Sequence, residues 1–200
     1  ASSVPVLSLE SAMDHPHQGL ADALTVRRKI GEKAKVVVTW APHVKPLPLA
    51  VPHAAVLAFA HEGHDVVVAH PEGFDLDEGV LSAAGNIARG SGGSVSVSHD
   101  RNAALAGARV VYAKSWGARG HYGAPEQAAE AVQSHPDWIV DGPAMDRTYE
   151  GIFLHCLPVR RGVVVADEVL DGPASVVIDQ AAARLDVQKA TLCRAMGVTA

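Results

Sequence analysis

The feature that most constrains this chain is a series of short, valine-rich runs that do not alternate with polar residues. Residues 35–40 (KVVVTW), 64–70 (HDVVVAH) and 109–113 (RVVYA) are the clearest. A strand solvated on one face alternates apolar with polar side chains. An unbroken apolar run needs cover on both faces, as in a parallel sheet layered with helices. Residues 4–9, 94–98, 138–141 and 151–155 read as further strands. Helical patterns fall between them, at 18–26, 52–61, 78–89, 125–134 and 175–196. The first places Leu20, Ala23 and Leu24 on one face, and the last spaces Ile178, Ala182, Leu185, Ala190 and Leu192 near a helical period. Strands alternating with helices predict an α/β fold, a three-layer sandwich with a mostly parallel sheet, whose ligands gather at the carboxyl ends of the strands.

Two connections are more than linkers. Residues 41–48 (APHVKPLP) are proline-rich, so the segment is stiff and extended. Residues 116–123 (WGARGHYG) combine glycine with basic and aromatic side chains, as binding loops often do. Residues 90–93 (GSGG) superficially match a dinucleotide-binding loop, but they precede a strand instead of opening a helix, and no cofactor is expected.

Composition narrows the function. The 200 residues are 48% hydrophobic and 20% charged, an ordinary globular balance with enough chain for a sizeable core. The formal net charge of −5 argues against a nucleic-acid partner. A small anionic substrate stays open, because a local cluster of Arg and Lys opposes the global sign. No segment has the ~18 uninterrupted apolar residues that cross a bilayer, and the first residues carry no leader pattern, so no membrane partner is expected. Cys156 and Cys193 are the only cysteines and are expected to be free thiols in a reducing cytoplasm. His61 and His64 are one residue too close for the helical zinc pattern, and the other histidines are scattered, so no metal site is expected.

Two segments carry chemistry. His155-Cys156-Leu157-Pro158-Val159-Arg160-Arg161 follows a predicted strand. A thiol, a turn-shaping proline and two guanidinium groups make an anion and amine pocket, since Arg pairs bidentately with carboxylate or phosphate. A buried Cys beside two solvated Arg fits the residues equally well. Asp14-His15-Pro16-His17-Gln18 precedes a helix. Asp14 is the candidate N-cap, and His15 and Gln18 are spaced to face one ligand at the helix start, where backbone N–H groups favour anions. A plainly capped helix is the alternative.

These two segments, in this order and separation, resemble the signature segments of aspartate and ornithine carbamoyltransferases. The similarity runs along essentially the whole chain and is closest to the branch acting on N-acylated ornithine. Trp40 with the Lys45-Pro46-Leu47 loop, Tyr112-Ala113-Lys114-Ser115-Trp116-Gly117, and Ala183-Arg184-Leu185-Asp186-Val187-Gln188-Lys189 match as well. The resemblance implies attack of an amine on the carbonyl carbon of carbamoyl phosphate, in arginine biosynthesis, with N-acetyl- or N-succinyl-ornithine as acceptor. Other amines, ornithine among them, and a non-catalytic isolated domain are the alternatives.

By this resemblance His15 and Cys156 are catalytic. His15, Gln18, Cys156, Leu157 and Arg184 hold carbamoyl phosphate, while Glu10, Lys114, Cys156, Leu157 and Arg160 hold the acylornithine. His15 would hydrogen-bond the carbonyl oxygen, Gln18 the carbamoyl NH2, and Arg184 the phosphate end. One departure is informative. Where ornithine enzymes have an Asp-x-Trp-x-Ser-Met-Gly segment, this chain has Lys114 and no Asp. An acylated α-nitrogen is neutral and needs no carboxylate, whereas the α-carboxylate calls for cations. The resemblance further implies that residues 1–32 are a remnant of a carbamoyl-phosphate domain, with its last strand and a linking helix. Residues 33–174 would be the amino-acid-binding domain, and 175–200 a helix packing back towards the first. It also implies a homotrimer for full-length relatives, and a backbone knot involving residues 41–49, the chain near Arg160 and the last helix. The family's Ser-x-Arg-Thr-like phosphate segment is absent from these residues, so weak catalysis by this chain alone is expected.

Overall fold

The computed structural model describes residues 3–198. Thirteen helices and strands run in the order α1 (Pro16–Lys29), β1 (Lys35–Trp40), α2 (Ala50–His61), β2 (Asp65–Ala69), α3 (Glu78–Ser91), β3 (Ser94–Ser98), α4 (Arg101–Leu105), β4 (Val110–Lys114), α5 (Pro125–Ala131), α6 (Gly142–Met145), β5 (Ile152–Leu154), α7 (Asp167–Leu170) and α8 (Val177–Ala195). The strands form one sheet in the order β3-β2-β1-β4-β5, and every pairing is parallel. The valine runs explain why. Val36, Val37 and Val38 of β1 are fully buried between β2 and β4, with Val66, Val68, Val110 and Val111 beside them. A strand in that position has no solvated face on which a polar residue is favourable.

The helices form the outer layers. α1, α2, α3 and α8 pack on one another, whereas α4 lies against β1, β2 and β3 and contacts α6, which contacts α7. The order reverses at β1, since β2 and β3 extend to one side and β4 and β5 to the other. The crevice at such a reversal lies at the carboxyl ends of the strands flanking it, here β1 and β4. The proline-rich segment leaves the end of β1 and the glycine-rich segment leaves the end of β4. They meet: the Gly117 N–H donates to the Leu47 carbonyl at 3.0 Å.

Five expectations fail. Residues 4–9 form no strand; they are irregular, with bends at Val4 and Leu9, and exposed, and Pro5 has no N–H to give a ladder. Residues 138–141 contribute only an isolated bridge from Val140 to Val165. Pro136 begins a 3-10 turn just before them and Gly142-Pro143 opens α6 just after, leaving too little chain for a strand. The apolar spacing of α8 points outward: Ile178 is 71% and Leu185 56% exposed, while Val177, Gln180, Ala183 and Val187 are buried. Leu20 likewise projects to solvent from α1, and the buried face carries Gln18, Asp22 and Thr25 instead. Last, Asp14 caps nothing. His15 is the N-cap residue without a side-chain cap, and Asp14 sits in a turn with Ser11.

α1 lies very close to α2. A Cβ on Gly19 would stand 2.8 Å from the Ala54 carbonyl oxygen, so only glycine permits the contact. This approach fixes α1, which carries His15 and Gln18 at its start, against α2. Among the described residues, no helix is long and apolar enough to cross a membrane.

Candidate active site

Residues as far apart in sequence as Gln18 and Arg184, 166 positions, converge at one end of the sheet. His15 and Gln18 come from the start of α1, Lys114 from the end of β4, Cys156 from the turn after β5, and Arg184 from α8. The convergence is built on polar contacts. Arg184 Nη1 donates to Gln18 Oε1 at 2.6 Å. Gln18 Nε2 donates to Asp22 Oδ1 at 2.7 Å, and Gln180 Nε2 donates to the same oxygen at 2.6 Å. The Gln180 Oε1 accepts the backbone N–H of His155 at 3.0 Å, which ties the end of β5 to α8. Leu157-Pro158 is a cis peptide, and Leu157 is 44% exposed.

The electrostatics follow from burial. His15 is half-buried with its Nδ1 unpartnered; desolvation lowers its pKa, with Glu10 pulling it up and Arg184 pushing it down. Glu10 is therefore a neighbour of His15, on an exposed stretch of chain. Burial pushes the Cys156 thiol up, partly offset by Lys114, and the thiol adjoins the Tyr112 hydroxyl. The thiolate is thus disfavoured, the reverse of what a cysteine nucleophile requires. Burial and the Lys114 charge hold His155 neutral, with a pKa of about 3. Asp22, fully buried, is pushed up to about 7 by desolvation, against the hydrogen bonds from Gln180 and Gln18.

Two cations are free for an anion. Among the described residues neither Lys114 nor Arg160 has an ion-pair partner. Both lie near His43, whose ring is held by the backbone of Lys45 and whose pKa is lowered by burial and then by their charges. Arg161 is different. It clamps Asp171 at 2.6 Å and Asp167 at 3.1 Å, so only one of the two adjacent guanidinium groups is available. The two loops from the reversal point enclose a cavity of about 400 Å³ lined mainly by Pro46, Leu47, Pro48, Gly117, His121 and Tyr122. Its walls are largely apolar.

Every residue anticipated from sequence lies at this end of the molecule or borders it. Asp22, Gln180, His43 and the ring of Tyr112 were not anticipated. The pair Gln18 and Asp22, one turn apart on the buried side of α1, was the available signal. His61 and His64, which superficially suggested metal, part company: His64 Nδ1 accepts the Ala34 N–H at 3.2 Å, and His61 is exposed.

A parallel α/β domain with a cationic, histidine-bearing crevice at its strand reversal is a small-molecule site. The chain belongs to the aspartate/ornithine carbamoyltransferase family: residues 50–195 match the family's Asp/Orn binding domain. Over 98% of its length it is 43% identical to the N-acetylornithine carbamoyltransferase of Xanthomonas campestris, of which it spans 59%. It is 37% identical over 92% of its length to the N-succinylornithine carbamoyltransferase of Bacteroides fragilis, of which it spans 53%. A crystal structure of acetylornithine transcarbamylase complexed with acetylcitrulline superposes with a TM-score of 0.93 at 41% identity, covering all of this chain and 60% of that one. The chain thus spans somewhat over half the length of these relatives.

Proposed function

We infer that this chain is the amino-acid-binding part of a carbamoyltransferase that moves the carbamoyl group of carbamoyl phosphate to the side-chain amine of N-acetyl- or N-succinyl-ornithine, in arginine biosynthesis. The observation that carries this reading is Lys114 beside Cys156, with no carboxylate ion-paired to it among the described residues. An acceptor with a free α-ammonium would meet a cation there. An acylated acceptor offers only its α-carboxylate, which Lys114 and Arg160 attract.

The amine attacks the carbonyl carbon, and phosphate leaves. The uncharged His15 imidazole donates to the carbonyl oxygen as negative charge develops on it. The Gln18 amide holds the carbamoyl NH2, and Arg184 takes the phosphate end. The Cys156 side chain and the Leu157 carbonyl line the place where amine and carbamoyl carbon meet. The raised thiol pKa fits a wall and not a nucleophile. The cavity between the two loops, with apolar walls, suits the acyl group, and Glu10 closes the site beside His15. Catalysis is then mainly positioning and charge stabilisation.

Residues 1–32 and α8 fit a connection to a carbamoyl-phosphate domain. The outward apolar side chains Leu20, Ile178, Leu185 and Leu192 favour cover by further protein. A cytoplasmic homotrimer fits this arrangement and the two free thiols.

The test is citrulline formation from carbamoyl phosphate with N-acetylornithine, N-succinylornithine or ornithine, with and without a separately supplied carbamoyl-phosphate domain. Turnover of an acylated acceptor, with KM raised about tenfold or more by Arg160→Ala, is expected from loss of a charge-assisted contact. Faster turnover of plain ornithine would overturn the reading, and no turnover under any condition leaves a non-catalytic domain.

A further inference from the structure

Asp22 lies at the centre of the buried layer beneath the site, and the mechanism above gives it no part. Its carboxyl is fully buried on α1 and meets α8 and β4. Oδ1 accepts from both Gln18 Nε2 and Gln180 Nε2, at 2.7 and 2.6 Å. An oxygen so placed only accepts, so both amides must turn their NH2 groups inward. The carbonyl oxygens are thereby turned outward. On Gln180 that oxygen holds the His155 N–H at 3.0 Å. On Gln18 it faces Arg184, whose Nη1 donates at 2.6 Å.

The other carboxyl oxygen, Oδ2, and the Tyr112 hydroxyl are both buried without a hydrogen-bond partner, yet each shifts the ionisation of the other. Tyr112 adjoins Cys156 in turn. Protonated, Oδ2 can donate to the Tyr112 oxygen; ionised, it can accept from the Tyr112 hydroxyl. Oδ1 stays an acceptor in either case. The charged and titratable groups around this set are Arg184 on α8, Lys114 at the end of β4, and Cys156 after β5, with neutral His155 and His43 beyond them.

We propose that Asp22 is a positioning residue for carbamoyl transfer: it fixes the polarity of the Gln18 amide, so that the site meets its carbonyl oxygen, and through Tyr112 it links the Cys156 thiol to its own ionisation. The proposal rests on the carbamoyl-transfer reading. A carbamoyl NH2 is a donor, and only an outward-facing Oε1 complements it; an outward NH2 would set donor against donor.

Asp22→Asn and Asp22→Leu, which keep the number and branching of side-chain heavy atoms, separate the parts. Asn can offer its oxygen to both amides and its NH2 to Tyr112, so it keeps the lock and loses the titration. Leu loses both. In the chain without substrate, NMR is expected to show the side-chain NH2 protons of Gln18 and Gln180 exchanging at least about tenfold more slowly than those of exposed Gln127, in the wild type and the Asn variant but not the Leu variant. On a Cys193→Ser background, the pH profile of Cys156 alkylation should show an inflection near 7 that Asp22→Asn removes. In the citrulline assay, Asn should leave the KM for carbamoyl phosphate within about twofold, and Leu should raise it about tenfold. Unprotected Gln18 protons, a folded Leu variant with unchanged KM, or an inflection that survives in the Asn variant would overturn the proposal. If no acceptor is carbamoylated by any form, the functional reading falls, and amide exchange and alkylation still decide the lock.

Discussion

At Asp22 and His155, burial moves two ionisations in ways that oppose each other in the stability of the fold. Asp22 titrates at about 7 when folded against an ordinary 3.8. Between those values the folded state holds a proton that the unfolded state has released, so its contribution to stability falls as pH rises from about 4 to about 7. His155 titrates at about 3 when folded against an ordinary 6.5. Over that range the unfolded state binds the proton first, so stability is lost as pH falls below about 6.5. His15, His43, His53, His64 and His70 are lowered by burial too and add to the acid side. Urea unfolding of wild type and Asp22→Asn at several pH values isolates the first effect. The Asn variant is expected to gain on the wild type by a few kcal/mol, in order of magnitude, between pH 4 and 7, with no further gain above. A difference that shrinks as pH rises would contradict the assignment.

At the scale of elements, the contact of α1 with α2 positions the site, because α1 carries His15, Gln18 and Asp22 together. Gly19→Ala gains up to about 1 kcal/mol of helix propensity. Its Cβ would stand 2.8 Å from backbone, however, and forcing the helices apart costs typically about 1–3 kcal/mol. A net loss of stability is expected, larger for Gly19→Val, and the denaturation midpoint measures it. The helices also show why periodicity misled. On α8, Ile178, Leu185 and Leu192 make an apolar stripe that faces outward, and Gln180 is buried instead because Asp22 and the end of β5 require it. Spacing identified the helix, but not the side on which its partner lay.

At the scale of the whole molecule, the parallel order and its reversal between β1 and β4 bring the two marked loops to one crevice. The resemblance implies a knot here, involving residues 41–49, the chain near Arg160 and α8. Pulling the folded chain from both ends should then leave it shorter than its full contour length by a fixed amount, measured in a single-molecule trap. Extension to full length would remove the knot from the description.

The valine runs alone determined the three central strands β2, β1 and β4, since residues buried on both faces favour the middle of a parallel sheet, and the motif order alone pointed to His15, Gln18, Lys114, Cys156 and Arg184. Tertiary structure alone decided how they are held. Asp22 is an ordinary helical acid in sequence; its meaning depends on Gln180, 158 positions away, and on Tyr112 from another strand. Arg160 and Arg161 are adjacent and alike in sequence, yet one is free and the other clamped by Asp167 and Asp171. Residues 4–9 have a strand's composition and form no strand. Local pattern sets what a segment can become, and burial, hydrogen-bond partners and free edges are properties of the packed chain.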